Sequence, residues 1–166
     1  MAESSWLVVM TKPRMETEAR VNLHRQGFEV YLPLWVDLRR RSNNWQKVQL
    51  PMFPRYLFVK PAHAEQSISP IRSTRGVSQL VRFGTKPARA SDELIRGIRR
   101  LEAARNADGN QLKPFKPGDE VIVMDGPFKG VSAEVLSSDQ QRVILLLQVL
   151  GQTQRLEFEA GICRAR

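Results

Sequence analysis

The chain has 166 residues, with 26 Lys and Arg against 17 Asp and Glu, which gives a formal net charge of +9. This length holds one ordinary domain or two small ones, and the single cysteine, Cys163, excludes an internal disulfide and a zinc cluster built on thiolates. The longest apolar run, 143–150, is too short to cross a membrane, and the first residues lack the pattern of a signal peptide, so we expect a cytoplasmic protein.

The excess charge lies in the first part of the chain. Residues 1–109 carry 19 basic and 10 acidic side chains, whereas residues 110–166 carry 7 of each. A basic first domain that meets a polyanion, followed by a neutral second domain with another partner, accounts for this division. A merely soluble basic surface is the alternative.

The first elements predict a β-α-β unit. The apolar run 6–10 is typical of a covered strand, and a helix follows with Pro13 at its first position and Met15, Ala19 and Leu23 on one face. Gly27 suits the left-handed residue that closes a helix. Residues 28–33 begin as an alternating strand.

Residues 38–50 predict a hairpin arm with an Asn-Asn tip. Three consecutive arginines, 39–41, precede the tip, and Trp45 and Lys47 follow it. Basic residues beside an aromatic ring are typical of a nucleic-acid contact. A solvated hairpin tip explains the same residues equally well.

The remainder of the first part predicts a strand over 51–60, a short helix begun by Ser69 and Pro70, and a turn and strand over 74–84. A last helix begins at Ser91, whose hydroxyl suits an N-cap, and carries Leu94, Ile98 and Leu101 along one stripe. Residues 106–110 end this helix and open a linker.

The segment 116–130 places turn residues at both ends of a short apolar strand. Pro-Gly-Asp precedes the strand, and Gly-Pro-Phe-Lys-Gly follows it, with Gly126 and Gly130 at turns that need positive φ. Further strands are predicted over 142–150 and 155–159, although the unbranched leucines 145–147 do not exclude a helix. The segment resembles the KOW module, and an SH3-like barrel without nucleic-acid or ribosome contacts is the alternative.

The order of these features resembles the NusG family of transcription elongation factors, and within it the operon-specific RfaH branch. The resemblance is carried by the basic α+β half, the Pro-Arg-Tyr-Leu-Phe-Val strand at 54–59, the Thr-Arg-Gly-Val turn at 74–77 and the terminal KOW module. It implies an α+β protein with an NGN-type α/β sandwich over 1–105, a linker over 106–115 and a small SH3-like β-barrel, the KOW domain, over 116–166.

The resemblance implies two contacts with RNA polymerase. An apolar patch that faces the clamp helices corresponds to Met10, Tyr56, Phe58 and Ile98. The contact with the gate loop corresponds to Ser67, Ile68 and Ser69, where the RfaH branch has His-Thr-Thr. Core packing is the ordinary alternative for the apolar patch.

The RfaH branch also reads a hairpin in the displaced non-template DNA strand at the element called ops. The corresponding residues, with one neighbour, are Lys12, Arg14, Asn22, Arg25, Thr74 and Arg75. Lys and Arg suit phosphates, and Arg and Asn suit base edges.

The resemblance implies that the KOW domain binds a ribosomal protein of the small subunit, through Phe128 and Leu150. In the RfaH branch this domain refolds from a helical hairpin into the barrel, whereas in general NusG it stays a barrel. An acidic residue that ties the two RfaH domains together corresponds to Leu50 here, which leaves Arg142 without that partner.

Three other functions compete with an operon-specific factor. A general NusG-type factor would act on most operons and contact the termination factor Rho, and an RNA- or ribosome-binding KOW protein would not need polymerase. An enzyme is disfavoured because His24 and His63 lie on a charged helix and a loop, and the pattern suggests no nucleophile and base pairing. We therefore expect a monomeric, non-catalytic protein without cofactor, metal or membrane contact.

Overall fold

The computed structural model describes residues 5–107, 127–132, 136 and 138–164, and for 106–107 and 153–164 it gives the backbone alone. The strands are β1 (Ser5–Thr11), β2 (Glu29–Tyr31), β3 (Leu34–Arg41), β4 (Asn44–Pro51), β5 (Tyr56–Lys60), β6 (Val77–Leu80), β7 (Arg82–Phe83), β8 (Lys86–Pro87) and β9 (Arg89–Ser91). The helices are α1 (Glu16–Arg25), a 3-10 helix (Ser69–Ser73), α2 (Asp92–Ala107) and α3 (Asp139–Arg164).

The main sheet is antiparallel and has the order β2-β5-β1-β6, with β9 beside the first half of β1. Alternation along β1 sends Leu7 and Val9 to one face of the sheet and Trp6 and Val8 to the other. The first face packs on α1 and the 3-10 helix, and the second on α2 and α3. Mixed helices and strands confirm the predicted α+β class of the first part.

Local signals fix most of the predicted boundaries in this part. The Ser91 hydroxyl accepts a hydrogen bond from the Leu94 amide at 3.1 Å, as an N-cap does, and Gly27 has φ +90° just beyond α1. The expectation for Pro13 is wrong, because α1 begins at Glu16 after a turn in which Arg14 has φ +64°. Strands β3 and β4 form the predicted hairpin, but the expected Asn-Asn tip is wrong: the tip is Ser42 and Asn43, because Asn44 already pairs with Arg41 in the strand register.

The C-terminal segment differs from its prediction. The strands expected over 142–150 and 155–159 are wrong, because residues 139–164 form the single helix α3. Leucine is a strong helix former, and Arg142, Leu146 and Leu150 recur every fourth residue on a buried face. The predicted strand and turn over 116–126 lie outside the described residues, whereas Gly130 has the predicted positive φ, +88°.

Gly97 permits close packing of the two parts of the chain. A Cβ at this position of α2 would lie 2.8 Å from Cδ of Pro127, closer than real side chains approach. Gly97 lowers the helix propensity of α2, but because it has no side chain it lets Pro127 pack against that helix. No helix within the described ranges is long and apolar enough to span a bilayer.

Candidate binding surfaces

The apolar patch predicted to face polymerase lies on the second face of the sheet. Met10 is the cross-strand neighbour of Tyr56, and Phe58 follows on the same face of β5. Ile98 of α2 joins them in one hydrophobic cluster. We call these four residues the apolar patch.

Helix α3 covers the apolar patch. Phe58 and Ile98 are fully buried in the same cluster as Leu146 and Leu150 of α3, while Met10 and Tyr56 are partly buried beside it. A groove of about 420 Å³ between Tyr56 and Val143 marks the edge of this contact. While α3 is in place, Phe58 and Ile98 are therefore unavailable to a partner protein, and Met10 and Tyr56 are only partly accessible.

The residues predicted to contact the ribosome belong to this same buried cluster. Phe128 and Leu150 are 2% and 0% exposed. The Phe128 ring meets Phe53 edge to face, with centroids 5.9 Å apart. The two predicted protein-binding sets thus bury each other in this structure.

Arg142 anchors α3 to the first part of the chain. Its side chain is 1% exposed, and its guanidinium donates to the Met52 carbonyl and to the Leu136 carbonyl, each at 2.7 Å, as well as to the Asp139 carboxylate. Burial lowers the pKa of this guanidinium, and Asp139 opposes that effect. Leu50 gives Arg142 no acidic partner across the domains, as expected, and the Met52 carbonyl of the first part of the chain accepts its hydrogen bond instead.

The indole of Trp35 completes this anchor. The Arg142 guanidinium lies 4.7 Å from the ring centroid, and that of Arg105 from α2 lies 4.6 Å from it. Arg105 also donates to the Val36 carbonyl at 2.8 Å. Two cations from distant parts of the chain thus share one buried ring, so α2, β3 and α3 are held together.

The residues predicted to read DNA meet on the opposite side of the sheet, where α1 faces the 74–76 turn. The side-chain amide of Asn22 donates to the Arg75 carbonyl at 3.2 Å, and the backbone amide of Lys12 donates to the Gly76 carbonyl at 2.8 Å. Arg75 pairs with Glu18 at 2.7 Å and remains well exposed. We call Lys12, Asn22, Thr74 and Arg75 the loop cluster.

Three further residues complete or flank the loop cluster. Gln26, which was not predicted from the sequence, donates to the Thr74 hydroxyl at 2.7 Å and to the Asn22 carbonyl at 3.3 Å. The sequence feature that could have indicated Gln26 is its position one helical turn after Asn22, on the same face of the helix. Arg25 is exposed on α1 near the cluster in sequence, whereas Arg14 lies in the turn before α1 and lines a different groove.

Thr74 is the least accessible member of the loop cluster. It is 7% exposed, and its hydroxyl donates to the Pro70 carbonyl at 2.9 Å while it accepts from Gln26. With both bonds made inside the protein, this side chain holds the turn that presents Arg75.

The predicted gate-loop set precedes the loop cluster. Ser67 and Ser69 are exposed, whereas Ile68 packs partly on the first face of the sheet. The Ser69 amide donates to the Ser67 hydroxyl at 3.2 Å. Ile68 and the apolar patch therefore belong to different hydrophobic clusters, on opposite faces of the sheet. Among the described residues no group of three His, Cys, Asp or Glu side chains is placed to hold a metal ion.

Comparisons with known proteins cover both parts of the chain. A family model described as "Transcription termination factor nusG" matches residues 4–99, and one described as "KOW motif" matches residues 117–148. The "Transcription termination/antitermination protein NusG" of Thermus thermophilus is 24% identical over 175 aligned residues, which span 93% of this chain and 94% of that protein. The protein of the same name from Halalkalibacterium halodurans is 23% identical, over 95% of this chain and 96% of that protein. A solved structure, "Domain interaction in Thermotoga maritima NusG", is similar with a TM-score of 0.48 and 24% identity, over 78% of this chain and 77% of that one.

Proposed function

Because the chain belongs to the NusG family of transcription termination and antitermination proteins, we propose that it is an operon-specific elongation and antitermination factor. One observation carries the specialised form of this proposal. Helix α3 covers the apolar patch, as expected of a branch whose KOW domain has a helical form, whereas a general NusG domain stays a barrel. Because the apolar patch is covered, a signal such as a DNA element must release α3 before polymerase can bind. The protein would then act only on operons that carry that signal.

In the open form, the apolar patch binds the clamp helices of RNA polymerase. Release of Leu146 and Leu150 exposes Phe58 and Ile98 together with Met10 and Tyr56, and a contiguous apolar surface of this kind is typical of a protein interface. Ser67, Ile68 and Ser69 contact the gate loop with short polar groups. The two contacts on separate parts of the domain support a bridging role.

The loop cluster contacts the non-template DNA strand, with Arg14 and Arg25 at its margins. Lys12 and Arg25 are exposed cations suited to phosphates, and the exposed Arg75 guanidinium suits a base edge or a phosphate. Hydrogen bonds from Asn22 and Gln26 hold the turn in place before DNA arrives. This pre-formed arrangement supports recognition of one DNA element.

Once released, Phe128 and Leu150 become available to a small-subunit ribosomal protein, which couples transcription to translation.

We assign residues 1–105 to the polymerase-binding domain, 106–115 to the linker and 116–166 to the KOW domain. We propose a cytoplasmic, monomeric and non-catalytic protein that needs no cofactor. A general NusG-type role, with contact to Rho, is the second candidate, because the curated relatives described above carry that name.

Single-round elongation by RNA polymerase, on templates with and without an ops-like element, tests this proposal. We expect faster passage through pauses on the element-bearing template alone. Equal acceleration on both templates would identify a general factor, and no effect on either would remove the polymerase role and favour an RNA- or ribosome-binding protein.

Two matched pairs of variants sharpen the assay. Leu146→Asp places a charge in the buried contact and should extend acceleration to both templates, whereas Ile144→Asp, at a position 46% exposed on the same helix, should leave specificity unchanged. Lys12→Gln should lose acceleration on the element-bearing template, and Lys86→Gln, which removes an exposed charge from β8, should retain it.

A further inference from the structure

The segment between β5 and the loop cluster is attached to the end of α1 by the side chain of Gln66. The side-chain oxygen of Gln66 accepts a hydrogen bond from the backbone amide of Ala62 at 2.7 Å, and its side-chain nitrogen donates to the Gln26 carbonyl at 3.2 Å. Gln26 is the C-cap of α1, where backbone carbonyls lack a partner within the helix. Gln66 therefore closes a turn in its own segment and joins that turn to the helix.

Gln26 also holds the other end of this segment. Its side-chain nitrogen donates to the Thr74 hydroxyl at 2.7 Å, so the residues on both sides of the gate-loop set and the 3-10 helix are attached to one residue of α1. The chain between them is bonded internally, because the hydroxyls of Ser73 and Thr74 both donate to the Pro70 carbonyl, at 3.1 and 2.9 Å. The gate-loop set and the loop cluster therefore share one support.

Packing leaves this segment little room to shift against α1. Ile71, in its middle, is 1% exposed and packs in the core on the first face of the sheet. At its far end, a Cβ at Gly76 would lie 2.9 Å from the backbone nitrogen of Ala19, so the turn rests directly on the backbone of α1. Because both ends and the middle are fixed, we expect residues 66–76 to move together with the end of the helix.

We propose that Gln66, acting through Gln26, is a positioning residue that couples the gate-loop contact to recognition of the DNA element. This inference rests on the proposed function, which supplies the two partners. DNA bound by the loop cluster restrains Thr74, and the hydrogen bonds through Gln26 and Gln66 transmit that restraint to residues 67–69. The element thus pre-organises the gate-loop contact, and by thermodynamic reciprocity the gate loop strengthens DNA binding.

A positioning role is separable from a contribution to overall stability. Both hydrogen bonds of Gln66 are exposed to solvent, and such bonds contribute little to the net free energy of unfolding. Gln66→Met preserves the length and neutrality of the side chain but removes both bonds, so the domain should stay folded while the segment loosens. Gln148→Met makes the same change at an exposed position of α3 and is the control.

The first measurement uses the full chain without DNA or polymerase and is independent of the proposed function. Hydrogen exchange is followed at two bonded backbone amides, that of Ser69 beside the gate-loop set and that of Thr74 in the loop cluster. Gln66→Met should speed exchange at both amides roughly threefold to tenfold and leave β1 and β5 unchanged. Unchanged exchange at Thr74 would show that the two ends are held independently and would overturn the coupling.

The second measurement adds a single-stranded DNA hairpin that carries an ops-like element. In the unaltered chain and in the control, the DNA should slow exchange at both Thr74 and Ser69, whereas in Gln66→Met it should slow exchange at Thr74 alone. Equal slowing at Ser69 in all three chains would overturn the proposal. If Thr74 is not slowed even in the unaltered chain, the proposed DNA contact fails, and the coupling that depends on it fails too.

The third measurement compares elongation by intact polymerase with elongation by a polymerase whose gate loop is deleted. With intact polymerase, Gln66→Met should lose part of the acceleration on the element-bearing template. With the gate loop deleted, it should cause no further loss, whereas Lys12→Gln, which removes a cation suited to a phosphate, should still do so. An equal loss from Gln66→Met with both polymerases would mean that Gln66 acts on DNA recognition alone, against the proposal.

Discussion

The two faces of the main sheet bury apolar side chains equally well but are covered in different ways. The face that carries Leu7 and Val9 is closed by α1 and the 3-10 helix, all within residues 7–80. The other face is closed in part by Phe128, Leu146 and Leu150, which come from the far end of the chain. The first cover is part of the domain, whereas part of the second comes from a segment beyond α2, and we expect the sheet to stay intact when that segment is released.

The sharpest test of this difference is a pair of Leu→Ala substitutions at sites of equal burial. Leu23 and Leu146 are both 0% exposed. Leu23→Ala should lower the free energy of unfolding of the first domain by about 2–5 kcal/mol, because it leaves a cavity in that domain's own core. Leu146→Ala should instead promote release of α3, with little change in the domain's main unfolding transition. Denaturant unfolding combined with segment-resolved hydrogen exchange measures both effects, and equal loss of protection in β1 and β5 would contradict the comparison.

Arg142→Ala should open the same cover through its polar anchor. The substitution leaves the Met52 and Leu136 carbonyls without their donor and removes the cation from Trp35, at a cost of about 1–3 kcal/mol to α3 docking. Arg142→Lys keeps the charge but lacks the planar fork, so it should recover only part of the docking. Exchange rates of the 140–150 amides provide the measurement, and full docking in either variant would mean that apolar contacts suffice.

Two Gly→Ala substitutions should have opposite effects on the C-terminal segment that packs on the sheet: one should loosen its packing and the other should stabilise it. Gly97→Ala improves the propensity of α2 but places a methyl group 2.8 Å from Cδ of Pro127, so the segment near Phe128 should lift away. Gly151→Ala meets nothing within 4 Å and should stabilise α3 by about 1 kcal/mol. Circular dichroism with proteolysis distinguishes the two, and the same direction of change in both would exclude the close approach at Gly97.

The smallest expected effect lies within the first domain. The Tyr31 phenol donates to Glu102 at 3.0 Å, and burial, with the Glu102 charge, raises the pKa of that phenol. The unfolded chain loses this proton near its ordinary pKa of about 10, so the stability that Tyr31 contributes is present below that pH and is lost as pH rises above it. Tyr31→Phe should cost about 1 kcal/mol near neutral pH and make stability less sensitive to pH near 10. An unchanged alkaline slope would contradict this assignment.

Local chemistry allowed most of the first domain to be predicted. The cap at Ser91, the left-handed Gly27 and the hairpin arm depend on nearby residues, and the family matches confirm the NusG resemblance and the KOW assignment. The apolar patch was placed on one surface, but its cover was not foreseen. Residues 145–147 suit a helix or a strand, and contact with a distant surface decides between them.

The hydrogen bonds that anchor Arg142 could not be predicted from the sequence either. Its main acceptor is a backbone carbonyl, that of Met52, and every residue type presents the same carbonyl. Gln26 was missed for a related reason, because its role depends on the turn at Thr74 lying against α1. When a side chain binds a backbone carbonyl, the residue type of the acceptor does not matter, so the sequence does not identify the partner.

The shared ring of Trp35 gives the protein an intrinsic optical reporter. Trp35 is 4% exposed and loses one of its two guanidinium neighbours when α3 departs, so water gains access to the indole and its fluorescence emission should shift to longer wavelength. Trp45 is already in water, and Trp6 stays under Lys60 and Arg99 of the first domain. With Trp6 and Trp45 replaced by Phe, the emission of a single unlabelled residue would follow release of the C-terminal helix in real time as polymerase, DNA or ribosome is added.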